Sequence, residues 1–284
     1  MPFASLPGVK LHYERAGDGA RAALLVHGNL ASARWWQPVL SRASDAPDSS
    51  LIAVSLRGCG ESEAPASGYS IAELAGDLRA LVDELGLTRF VLVGHSLGGA
   101  VATELACRIP ERIGALLLVA PSPTCGPQAM REARDPLGRL MRAFDAGGNA
   151  VPALFEWAKA SGMHRRFLER GLRELVGAAP LPADQMEELL GDALRVPPAA
   201  LLGLLAALQH WDPRPDLPLI RAPVTVLVGD AAPLISRESA AATTRDFPRG
   251  ELVVWADAGH SPMLERPDDF ARLLFGLLDA LRDP

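Results

Sequence analysis

The chain has 284 residues, 49% of them hydrophobic and 22% charged, with a formal net charge of −6. That length and balance suit one large α/β domain with an insertion, or two small domains, of an ordinary globular protein. The acidic balance, unopposed by any Lys/Arg cluster, argues against nucleic acid, whose phosphates require a basic footprint.

The opening stretch "MPFASLPGVKLHYERAG" has no basic start and no apolar core of signal-peptide length. The longest apolar runs, such as "ALLLVA" at 115–120, are strand-sized and too short to cross a bilayer. Three cysteines (Cys59, Cys107 and Cys125) are odd in number and widely spaced, which suits reduced thiols better than a disulfide framework. No Cys/His pair has metal-ligand spacing. These features predict a cytoplasmic protein with no membrane partner and no metal; they leave the oligomeric state open.

In chain order, "AALLVHG" (22–28), "LIAVSL" (51–56), "RFVLVGH" (89–95), "ALLLVA" (115–120), "VTVLVG" (224–229) and "ELVVWA" (251–256) read as strands. Most are continuously apolar, as expected of parallel strands covered on both faces. Helix-period segments lie between them. "IAELAGDLRALVDELG" (71–86) puts Ile71, Leu74, Leu78, Leu81, Val82 and Leu85 on one face. "GGAVATELACRI" (98–109) is rich in small residues that allow close packing on a sheet, and "PDDFARLLFGLLDALR" (267–282) opens with proline and two aspartates. Such alternation implies a doubly wound, mostly parallel sheet.

Between about 121 and 216 the alternation stops. "REARDPLGRLMRAF", "PALFEWAKAS", "RRFLERGLRELVG", "ADQMEELLGDALR" and "AALLGLLAALQHW" are helical in period, and no convincing strand separates them. The chain therefore divides into a core, residues 1–120 and 217–284, and a helical insertion, residues 121–216. The proline-rich "WDPRPDLPLIRAP" (211–223) leads back into the sheet as an extended connector.

"FVLVGHSLGGA" (90–100) carries Gly94-His95-Ser96-Leu97-Gly98, a G-x-S-x-G pattern with a strand before it and a helix after it. That is the setting of a nucleophile elbow, a turn too sharp for side chains at its flanking positions. It would expose the Ser96 hydroxyl at a helix N-terminus above the carboxyl ends of the strands.

With these residues the chain resembles the α/β-hydrolase family, over nearly its whole length. "LLVHGNLASARWW" (24–36) is similar to the family's His-Gly oxyanion loop, and "VSLRGCGES" (54–62) to the turn that follows, with Ser55 where an aspartate is usual. "DAGHSPMLERPDDF" (257–270) is similar to the histidine loop and final helix, and the 121–216 insertion falls where the family carries a helical cap. The resemblance implies an eight-stranded sheet, Ser96 as nucleophile, His260 as base, and the backbone N–H groups of Asn29 and Leu97 as oxyanion donors. It implies no cofactor. His-Gly-Asn also occurs in the related haloalkane dehalogenases, which use an aspartate nucleophile; Ser96 argues against that chemistry.

The remaining histidines read differently. His27 and His95 belong to backbone loops that they would brace, His12 sits in an expected edge strand, and His164 and His210 lie in the insertion. Trp35, Trp36, Trp157 and Trp211 fit an apolar pocket or core packing equally well.

A catalytic acid is expected immediately before the proline in "GDAAP", but that position holds Ala232. In serine proteases disabling the acid costs about 10⁴ in turnover. Three readings stay open. Asp230 serves from two residues earlier, a displacement of about 6–7 Å along an extended strand; Asp257 is a poorer substitute because its loop points it to solvent. Alternatively Ser96 and His260 act alone on an activated substrate, such as a lactone or thioester. Or Ala232 is an introduced replacement for aspartate.

The expected activity is cleavage of an ester, lactone or related acyl bond of a small to medium, apolar substrate. The alternatives are a non-hydrolytic enzyme of the same fold (acyl transfer, cyclisation or C–C cleavage) and a ligand-binding protein with weakened catalysis.

Overall fold

The computed structural model describes residues 2–132, 139, 142, 146–147, 163–177, 180–231 and 234–282. Eight strands are present: β1 (Phe3–Leu6), β2 (Val9–Ala16), β3 (Arg21–Val26), β4 (Ser49–Val54), β5 (Phe90–His95), β6 (Ile113–Val119), β7 (Val224–Gly229) and β8 (Gly250–Trp255). They form one sheet in the order β1-β2-β4-β3-β5-β6-β7-β8. The β1–β2 and β2–β4 pairs are antiparallel, and every pair from β4 to β8 is parallel. The apolar runs foretell six of these strands. His12 was expected on an edge strand, but β1 pairs outside it, with Phe3 opposite His12, and the imidazole is buried.

The pleat divides the strand side chains between two cores. Along β3, Leu24 and Val26 join a cluster with Leu74, Leu78, Val101 and Leu105, contributed by α1 (Ile71–Glu84) and α2 (Leu97–Arg108). Ala23 and Leu25 point the other way, into a cluster with Trp35, Trp36 and Phe270. A sheet covered on both faces must be apolar at successive positions, which is why its strands read as continuous runs. Each large side chain so buried is worth about 1.5–3 kcal/mol. Trp35, Trp36 and Trp211 are core residues; Trp157 lies outside the described residues.

Helix α1 starts at a reciprocal cap: the Ser70 hydroxyl accepts the Glu73 N–H, and the Glu73 carboxylate accepts the Ser70 N–H. Between β6 and β7 the described residues form α3 (Gly126–Glu132), α4 (His164–Val176), α5 (Ala183–Arg195) and α6 (Pro198–Ala206), with no strand among them. The helices expected over 131–144 and 152–161 lie largely outside the described residues. Asp192 of α5, 2% exposed, accepts hydrogen bonds from Ser32, Arg34 and Arg195 and so ties α5 to the loop after β3. Helices α7 (Arg237–Arg245) and α8 (Pro267–Asp279) complete the core. Among the described residues, no single helix is long and apolar enough to cross a membrane.

Candidate active site

Ser96 joins β5, in the middle of the sheet, to α2. Its backbone has φ 53° and ψ −119°, a conformation that an L-residue avoids. The strain is held by three hydrogen bonds. Ser96 N–H donates to Val119 O (3.0 Å), while Ser96 O accepts from Gly99 N–H (2.9 Å) and Ser122 N–H (3.1 Å). The turn closes only because two neighbours are glycines: a Cβ on Gly94 would stand 2.4 Å from Gly98 O, and one on Gly98 would stand 2.3 Å from His27 O. Among the described residues four non-glycines have positive φ: Leu30, Ser96, Ala120 and Asp257. Each follows the carboxyl end of a strand (β3, β5, β6 and β8), so the unusual backbone gathers along one rim of the sheet. Such clustering is typical of functional sites.

The loop after β3 crosses the elbow at close range. A Cβ on Gly28 would lie 2.9 Å from Ser96 Cβ. His27 fixes this loop: its Nδ1–H donates to Gly28 O (2.7 Å), and its Nε2 accepts Leu56 N–H (3.0 Å). Burial pushes the His27 pKa down to about 4, so the ring is a neutral brace. Ser55 has a similar duty, its hydroxyl accepting Ala33 N–H at 3.0 Å. The N–H groups of Asn29 and Leu97 have no hydrogen-bond partner among the described residues, and neither does the buried Oδ1 of Asn29.

His260 follows β8 in a buried loop and is 1% exposed. Neither ring nitrogen has a hydrogen-bond partner among the described residues, so nothing there fixes which of them carries the proton. Burial pushes its pKa down to about 4. Its ring packs against His95, the residue before Ser96, with centroids 4.9 Å apart and planes at 54°. His95 in turn stacks on Trp35. Because a carbonyl can only accept, the 3.0 Å contact between His95 Nε2 and His260 O is an N–H donated by His95. Burial first, and the adjacent His260 second, hold the His95 pKa well below the ordinary imidazole range. Ser96 thus lies one residue from the side chain that His260 contacts, though no Ser96–His260 hydrogen bond is formed.

Asp230 does not meet the expectation that it supports His260. Gly229 pairs with Trp255, which puts residue 230 beside the turn after β8. The exposed Asp230 carboxylate accepts Asp257 N–H at 2.9 Å, and the Asp230 N–H donates to Trp255 O at 3.2 Å. It braces the turn where Asp257 has φ 59°. Asp257 is itself exposed. Ala232, the position expected to hold the acid, lies outside the described residues.

Glu265 escaped the sequence reading. Its carboxylate accepts Gly259 N–H at 3.0 Å and Ser261 N–H at 3.3 Å, the two residues that flank His260. The signal was available: Ser-Pro opens the single helical turn Pro262–Glu265, and an acidic residue in a first turn captures free N–H groups. Cys59 and Cys107 are not rival nucleophiles, because burial pushes both thiols up to about 12. Among the described residues no group of His, Cys, Asp or Glu is placed to hold a metal ion.

Residues 23–267 match the α/β hydrolase fold family. The chain is 26% identical to a pimeloyl-[acyl-carrier protein] methyl ester esterase of Proteus mirabilis, over 96% of this chain and 98% of that protein. It is 29% identical to the dihydrolipoyllysine-residue acetyltransferase component of the acetoin cleaving system of Cupriavidus necator, over 96% of this chain and 67% of that protein. An esterase from Exiguobacterium antarcticum superposes with a TM-score of 0.80 at 22% identity, covering 98% of each chain, which is a likeness of fold.

Proposed function

The chain belongs to the α/β hydrolase fold family, and from that premise we propose that it is a serine hydrolase cleaving an ester, lactone or related acyl bond. Its substrate is small to medium and largely apolar. Ser96 Oγ attacks the carbonyl carbon, and His260 takes the hydroxyl proton and returns it to the leaving oxygen. The N–H groups of Asn29 and Leu97 hold the developing oxyanion. Water, activated by the same imidazole, then releases the acid. Hydroxyl, imidazole and N–H groups suffice for this chemistry, so it needs no cofactor.

The observation that carries the reading is the backbone of Ser96, held at φ 53° and ψ −119° between β5 and α2. A strained conformation persists only where its surroundings over-determine it. Here the strained residue carries a hydroxyl, is followed by Leu97 and is crossed by the loop that leads to Asn29, whose N–H groups have no hydrogen-bond partner among the described residues. The buried, unprotonated His260 supports the role of base. The esterase name of the Proteus mirabilis relative agrees with acyl-ester chemistry. Residues 121–216 act as a cap over the substrate, and the protein works on a small molecule in the cytoplasm, with no membrane or nucleic-acid partner.

One observation favours acyl transfer as a second reading. With no hydrogen-bond partner on its ring among the described residues, His260 is a poor activator of water, so an acyl group on Ser96 would persist for another acceptor. The Cupriavidus necator relative is named as an acetyltransferase component. Turnover of aryl esters and lactones in ¹⁸O-water separates the two. Hydrolysis predicts one ¹⁸O in the product acid and its loss in Ser96→Ala. Product acid without label, or no turnover of any ester or lactone, contradicts it.

A further inference from the structure

The main chain of His260 is gripped from both sides, while its ring packs against His95 with no hydrogen bond to either nitrogen among the described residues. Glu265 Oε1 accepts Gly259 N–H (3.0 Å) and Ser261 N–H (3.3 Å), and Oε2 also lies 3.0 Å from the Gly259 nitrogen. From the opposite direction, His95 donates to the His260 carbonyl at 3.0 Å. Three consecutive residues, 259 to 261, are pinned in this way.

From this geometry we infer that Glu265 is a positioning residue for the base. By fixing the peptides on both sides of His260, it sets where the imidazole points relative to Ser96. In a full triad a carboxylate on the ring nitrogen orients the imidazole directly. The inference rests on the serine-hydrolase reading of Ser96 and His260.

The carboxylate has a prepared seat just past the end of α4. A Cβ at Gly177, just past the end of that helix, would stand 2.1 Å from Glu265 Oε1 and 2.5 Å from its Cδ. Gly177 also has φ 128°, which L side chains rarely adopt. The preceding residue, Val176, accepts Ser261 N–H at 3.2 Å. The end of α4 therefore packs over the grip and links the helical insertion to the position of the base. A misplacement of about 1 Å costs on the order of 10²-fold in rate, so loosening the grip acts on the chemical step.

Aryl-ester turnover by Glu265→Met and Glu265→Gln tests this. Methionine keeps the length of the side chain and removes both acceptors. Glutamine keeps Oε1, which alone accepts both N–H groups. The expected result is a fall in kcat of about 10²-fold for Glu265→Met with KM within about twofold, and recovery in Glu265→Gln to within about fivefold of wild type. Gly177→Ala, which drives a methyl into the seat, gives the same kcat loss and serves if Glu265→Met does not fold. Wild-type kcat in Glu265→Met or in Gly177→Ala, a loss confined to KM, or a glutamine variant as slow as methionine overturns the inference. Ser96→Ala runs alongside. If wild-type turnover does not depend on Ser96, the hydrolase reading falls and the inference with it; if it does and Glu265→Met is as fast as wild type, only the inference falls.

Discussion

The imidazoles of His95 and His260 pack against each other with centroids 4.9 Å apart, and His95 donates its Nε2–H to the carbonyl of His260. The residue before Ser96 therefore touches the proposed base directly. Both rings are buried and neutral, and no carboxylate reaches either among the described residues.

The first consequence is in the pH profile. A base with a pKa near 4 is unprotonated throughout the neutral range. Hydrolysis, followed as kcat/KM, should be flat from about pH 8 to about pH 5.5 and should halve only near pH 4, below the ordinary imidazole value of about 6.5. An acid limb centred between 6 and 7 would show that a charged partner reaches His260.

Supplying that partner should change both the rate and the limb. Ala232→Asp restores an acid at the position where the family resemblance expects one; a carboxylate on the ring favours the imidazolium, so the acid limb moves up towards about 6 or 7. Turnover should rise at least tenfold, bounded by the roughly 10⁴-fold that such an acid contributes in serine proteases. Parallel stopped assays of the two proteins across pH 4–8 check this, and superimposable profiles would count against a missing acid.

Burial of neutral histidines also makes stability depend on pH. For His27 and His260 the folded pKa, about 4, lies below the unfolded value near 6.5. Below 6.5 the unfolded chain takes up protons that the folded chain refuses until about 4. Their stabilisation is therefore complete above 6.5 and is lost as pH falls through that window, by up to about 3 kcal/mol for each ring. Urea unfolding at pH 7, 5.5 and 4.5 should show a falling free energy, and a flat series would contradict the burial of neutral rings.

Strain at the elbow predicts a difference between two inactive variants. Ser96→Ala keeps the φ 53°, ψ −119° conformation, whereas Ser96→Gly relieves it. A strained residue costs about 1–3 kcal/mol, partly offset by the 0.5–1 kcal/mol entropic cost of glycine. Ser96→Gly should melt above Ser96→Ala by a few degrees, at about 2–4 °C per kcal/mol. Equal melting temperatures would mean an unstrained elbow.

The parts of this site that were legible in the sequence are those fixed by local pattern. Continuous apolar runs reveal β3 to β8 because both faces of each strand are covered, and Gly94 and Gly98 mark the elbow because no Cβ fits there. β1 and the inner position of β2 were less visible, since four residues of "FASL" carry little periodicity. The reading of Asp230 as the acid stays open in the sequence because separation along the chain does not reveal that Gly229 pairs with Trp255 and that the next carboxylate accepts Asp257 N–H. Glu265 was overlooked because it acts on main-chain N–H groups, which leave no mark on side-chain pattern.

Covalent labelling tests the central claim most directly. The protein is treated with an alkyl fluorophosphonate, digested, and mapped by mass spectrometry, beside Ser96→Ala and His260→Ala. The account predicts one adduct, on Ser96, absent from the alanine variant at 96 and formed far more slowly without His260. Equal labelling of the wild type and Ser96→Ala, or an adduct elsewhere, would contradict it.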